Sequence, residues 1–87
     1  MSRAMLPAVP CESVVRGILA HIGRSISSAE TDLDLPPTRL NNTMAGLRHL
    51  NLATLARFCE RYQEYPDLPD VIGGLVRDWL RERAALP

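Results

Sequence analysis

Between its glycine and proline breaks, this chain repeats one pattern: apolar residues three and four apart, the spacing of a helix face. Val14, Val15, Ile18, Leu19 and Ile22 carry it in the first segment. Leu52, Leu55, Phe58, Cys59 and Tyr62 repeat it, and Val71/Ile72, Leu75/Val76 and Trp79/Leu80 repeat it again. No segment alternates two apart for long enough to form a strand. The expected fold is all-α, a bundle of five helices. At 87 residues the chain can enclose one core and is too short for two.

The breaks set the helix limits. A first helix is expected over 11–22, ended by Gly23. Ser25, Ser27 or Ser28 can cap a short second helix reaching about Leu33. Asp34-Leu35 is then a tight connection. Pro36 and Pro37 suit a helix's first turn, where a missing N–H costs nothing, so a third helix is expected over about 37–45, with Leu40 and Met44 inward and Gly46 as its stop. After a loop of Leu47 to Leu50, Asn51 is the N-cap of a fourth helix. Pro66 breaks the chain, and Asp67 and Asp70 sit where a helix start favours acids, opening a fifth helix over about 69–84. Gly73 and Gly74 inside it each cost about 1 kcal/mol relative to Ala; they read as close backbone approach or as chance composition. The expected organisation is a flexible arm over 1–10, a core over 11–65, and a C-terminal helix over 66–87 that completes the core and can serve a dimer.

Charge is balanced in total and uneven in place. The chain has ten acidic and ten basic residues, all of the basic ones Arg. Residues 35–59 contain no carboxylate yet keep Arg39, Arg48, Arg57 and His49. Arg is the better cation for two-pronged contacts to phosphate or guanine, although genome composition alone also yields an all-Arg chain. Cys11 and Cys59 form no CxxC and, with His21 and His49, no metal-ligand spacing; both are expected as reduced thiols, Cys59 as a small core residue. No apolar run approaches the about 20 residues of a membrane span, and residues 1–10 lack the apolar stretch of a signal peptide, so a cytoplasmic protein is expected. No phosphate loop, paired-carboxylate or nucleophile pattern is present, so neither an enzyme nor a cofactor is expected.

The run Leu35-Pro36-Pro37-Thr38-Arg39-Leu40-Asn41, then Gly46-Leu47-Arg48, then Leu50-Asn51 resembles the recognition helix and following helix of the Xre/Cro-like helix-turn-helix DNA-binding family. The likeness is closest to HigA-type antitoxins, in which a Val-Pro-Pro-Thr-Arg-Ile-Asn run leads to Gly-Arg-Arg and an Ile-Thr helix start. Pro10, Glu12, Gly23 and Ser25 extend it backward, so about residues 10–62 are covered. Three positions depart from the family pattern: Ile26 stands for Gln, Ala29-Glu30 for Leu-Ala, and Asp34 for the turn Gly.

The resemblance implies a lambda-repressor-like (Xre) bundle, a double-stranded DNA operator and an autoregulatory repressor that neutralises a cognate ribonuclease toxin. Thr38, Arg39, Asn41 and Asn42 then face base edges, and Arg48 and His49 meet phosphate. A homodimer is expected through Ile72, Leu75, Val76 and Trp79, with Trp79 as anchor. Arg57 reads as a surface residue of the fourth helix. The alternative is a protein-interaction module on the same scaffold without DNA binding, which the neutral charge, Ile26 and Glu30 favour. An acyl-carrier-like bundle fits the length but lacks the Asp-Ser-Leu that carries its prosthetic group.

Overall fold

The computed structural model describes residues 8–86 of the chain, and among these it is all-helical, with no strand. Its helices are α1 (Glu12–Ile22), α2 (Ile26–Asp32), α3 (Arg39–Met44), α4 (Leu52–Arg61) and α5 (Leu68–Ala84). None is long and apolar enough to cross a membrane. The arm expected over 1–10 lies, for residues 1–7, outside the described residues.

The first three helices end in the same way. The chain turns left-handed at Gly23, Asp34 and Gly46, with φ of 66°, 55° and 83°. At each end the next residue's N–H reaches back five residues: Arg24 to the Leu19 carbonyl, Leu35 to that of Glu30 and Leu47 to that of Asn42. This doubly bonded ending satisfies the last carbonyls of a helix and favours glycine at the turning residue. Asp34 holds the middle position without that freedom. Asx residues tolerate the conformation better than other side chains but still at some cost.

Helix starts are set by side chains. Ser25 accepts from the Ser28 N–H, and Asn51 accepts from the Thr54 N–H at 2.8 Å. The third helix begins at Arg39, two residues later than expected, because Thr38 is itself left-handed with φ 67°. The Arg39 N–H donates to the Pro36 carbonyl, so Pro37 and Thr38 are the centre of a tight turn, not the first turn of a helix.

The core is built on α1. Val14, Val15, Ile18, Leu19 and Ile22 are all buried, in one cluster with Leu40 and Met44 of α3, Phe58 of α4 and Leu68 and Ile72 of α5. The close approach falls at Gly17, where an added methyl would overlap the Leu75 side chain. Gly73 and Gly74 are not approached: nothing lies within 4 Å of a methyl built at Gly73. Two further expectations are corrected. Leu52, read as part of an inward face, is 83% exposed, because it opens α4 before that helix reaches the core. Cys11 is the buried thiol, with its Sγ–H donating to the Thr43 carbonyl, whereas Cys59 is only half-buried. Burial pushes the Cys11 thiol pKa up.

A polar knot fastens α2 to α4. The Asp32 carboxylate accepts from Arg24 at 2.6 Å and from the Tyr62 hydroxyl at 2.7 Å, with Arg61 at 3.6 Å. The Arg24 hydrogen bond first, and the Tyr62 bond second, hold the Asp32 pKa below the usual carboxylate range. Burial, reinforced by Asp32, raises that of the Tyr62 phenol.

Candidate nucleic-acid interface

Short helices bury too little apolar surface to fix their own orientation, and α3 has only six residues. It is held inward by Leu40, fully buried, and Met44. A polar clamp supplies the rest: Glu30 of α2 is buried, and its Oε2 accepts from the Leu40 N–H at 2.8 Å. The carboxylate thus meets an orphan donor at the start of α3, where the helix dipole also favours a negative charge. At the far end, the Thr43 hydroxyl donates to the Arg39 carbonyl at 2.8 Å. The anion seat at the start of α3 is therefore taken by the protein's own side chain.

The residues singled out in the sequence divide into two sets. Arg39, Arg48 and His49 line one cleft of about 340 Å³ between α3 and α4, with Thr43, Asn51 and Thr54. Arg39 is half-buried there, and Arg48 and His49 are exposed. No described carboxylate pairs with any of the three, and none lines the cleft. Thr38, Asn41 and Asn42 do not line it: Thr38 and Asn41 are exposed beside it and Asn42 is half-buried. Asn51 is already committed as the α4 cap.

Arg57, the remaining cation of the acid-free stretch, turns the other way. Its guanidinium donates to the Leu33 carbonyl at 3.4 Å, closing the end of α2. Thr43 is the position that sequence reasoning passed over, and Glu30 the one whose role it missed. Glu30 reads as a misfit on an apolar face, and the only signal of its role is its place one turn before the Asp34 break. The cleft can accept an anionic group through two guanidinium groups and an imidazole, while Thr38 and Asn41 offer a hydroxyl and an amide alongside.

Comparison with family models, with characterised proteins and with solved structures returns no match.

Proposed function

We propose that this chain is a non-enzymatic, sequence-specific DNA-binding repressor in which α2 and α3 act as a helix-turn-helix of the Xre type. The observation that carries the reading is the acid-free cleft with Arg39, Arg48 and His49, bordered by exposed Thr38 and Asn41. Guanidinium and amide groups match the edges of guanine and adenine, and cations without acidic partners suit a phosphate backbone. In this reading Arg39 and Asn41 read bases, Thr38 and Asn42 flank them, and Arg48 and His49 hold the strand. Glu30 fixes the angle of α3 and leaves the lateral cleft as the route for phosphate. The likeness to HigA-type antitoxins extends the proposal to an autoregulatory repressor that is a homodimer and neutralises a ribonuclease toxin in the cytoplasm.

The test is binding to the DNA upstream of the chain's own reading frame, by fluorescence anisotropy at low and moderate salt. Arg39→Ala is expected to weaken specific binding by about 10-fold or more. Arg48→Ala weakens all sequences alike and flattens the salt dependence. Identical behaviour of wild type and Arg39→Ala at both salts would favour the second reading, an interaction module without DNA binding. The occupied start of α3 is the observation on that side.

A further inference from the structure

Of the four residues read from the sequence as a dimer face, two are engaged within the chain: Ile72 is buried and Leu75 lies against Gly17. The other two, Val76 and Trp79, line an open groove of about 420 Å³ between α4 and α5, together with Val9, Leu52 and Leu55. The polar groups of this groove are few. The Trp79 indole N–H already donates to the Pro10 carbonyl at 3.1 Å, and the Cys11 thiol to that of Thr43. The remaining polar side chains are His49 and Asn51, both at the entry to α4. A hollow of this size, mostly apolar with a few polar groups in one place, has the make-up of a small-molecule site.

His49 and Asn51 also line the cleft that holds Arg39 and Arg48. The apolar groove and the cationic cleft therefore adjoin across the entry to α4, and no carboxylate lines either one. We propose that the two form one site for a straight-chain monocarboxylate of the fatty-acid class, with the alkyl tail in the groove and the carboxylate at the rim shared with the cleft.

The residues at that rim choose the occupant. The Asn51 Oδ1 is spent on the Thr54 N–H and hydroxyl, at 2.8 and 3.0 Å, which leaves the amide N–H groups as donors. The His49 imidazole carries a donor in either protonation state. Arg39 and Arg48 have no described carboxylate partner, and a guanidinium can meet a carboxylate through two parallel hydrogen bonds. Donors and positive charge thus stand at one end, and hydrocarbon at the other. A wholly apolar ligand would leave the donors unused, and a small inorganic anion would gain nothing from the groove. A cation would meet like charge with no acid to offset it. Arg39, Arg48 and His49 are also the residues assigned to DNA, so carboxylate and DNA exclude one another there. That exclusion rests on the functional reading above, whereas carboxylate binding is independent of it.

Trp79 is the chain's only tryptophan, so its fluorescence reports the groove directly. Titration of the full chain with decanoate, below its micellar concentration and without DNA, is expected to give a saturable change in emission. Decanol, which lacks the charge, and butyrate, which lacks most of the tail, are each expected to bind about 10-fold more weakly or worse. His49 and Leu52 are exposed, so both can be changed with the helical circular dichroism unaltered. His49→Asp sets an acid at the shared rim and is expected to raise the decanoate dissociation constant about 10-fold or more. Leu52→Ser removes hydrocarbon from the wall, for a rise of about 3-fold. Absence of a saturable response to decanoate overturns the proposal, as do equal affinity for decanol or an unchanged affinity in His49→Asp. A response to anionic phospholipid vesicles without one to decanoate overturns it too. Decanoate binding by a protein that ignores its own upstream DNA would uphold this site and overturn the DNA reading; DNA binding without decanoate binding would do the reverse.

Discussion

The α2–α3 pair and helix α5 are fixed against α1 by opposite means. Helix α5 is long, and an apolar stripe of Leu68, Ile72, Leu75 and Trp79 holds it, with its charges left at the surface. The two short helices are held at their ends: a left-handed turn at Asp34, a carboxylate cap from Glu30, a guanidinium from Arg57 and the Asp32 knot. Burial scales with length, so a helix of six residues depends on polar groups at its ends, where backbone donors and acceptors are free. The protein thereby keeps its candidate reading surface on the part of the fold that rests on few specific bonds.

Substitutions can break this contrast or sharpen it. The largest effect is expected from Phe58→Ala, at a fully buried position, with a loss of about 3–5 kcal/mol in chemical denaturation. That is a large share of the roughly 5–10 kcal/mol a domain of this size has, and the whole fold should respond. Next is Glu30→Ala, which leaves the Leu40 N–H buried without its acceptor at a cost of about 1–3 kcal/mol. Hydrogen exchange should quicken at Leu40 while the amides of α1 and α5 keep their order of protection; Glu30→Gln, which retains an acceptor oxygen, should recover most of the loss. Equal loss of protection throughout would mean that α3 is not locally clamped.

Smaller gains are expected where the backbone is poorly matched to its residue. Gly74→Ala in α5, where the built methyl meets only the Arg77 guanidinium at 4.0 Å, should add about 0.5–1 kcal/mol. Asp34→Gly should add about 0.5 kcal/mol by relieving the left-handed turn. Each is read as a rise in Tm, at about 4–8 °C per kcal/mol for a domain this small. The last expectation is a change of slope with pH. The folded protein depresses the Asp32 pKa, so the carboxylate contributes stability above the ordinary carboxylate pKa and loses it as pH falls through the lower folded value. The stability gap between wild type and Asp32→Asn should therefore be widest near neutrality and close in that acid window.

Much of this architecture was legible in the chain. Periodicity and punctuation located all five helices, and Ser25, Gly23, Gly46 and Asn51 act at the ends where their chemistry predicts. The start of α3 was misplaced because two prolines suit a helix's first turn and a tight turn equally well, and only the backbone at Thr38 distinguishes them. In the candidate site, the acid-free stretch drew attention to the right segment but not to a cleft: Arg39, Arg48 and His49 line it, while Thr38, Asn41 and Asn42 do not. Arg57 reads from the sequence as a surface residue, and what was missed is its target, the Leu33 carbonyl, a backbone group that no side-chain pattern encodes. Glu30 was unreadable for the same reason: its partner is the main chain of Leu40. The Leu52 error came from extending a helical stripe to the first residue of a helix, which overhangs the core.

Pro10 has a practical consequence. Its ring atoms lie where a methyl on Gly46 would sit, the closest at 2.9 Å, its carbonyl receives the Trp79 indole, and the next residue's N–H is bonded to the Met44 carbonyl. One short segment thus pins both the exit of α3 and the flank of α5. A change of side chain at Pro10 would therefore be felt at α3 and α5 together, whereas one in the exposed tail after α5 would be felt at neither.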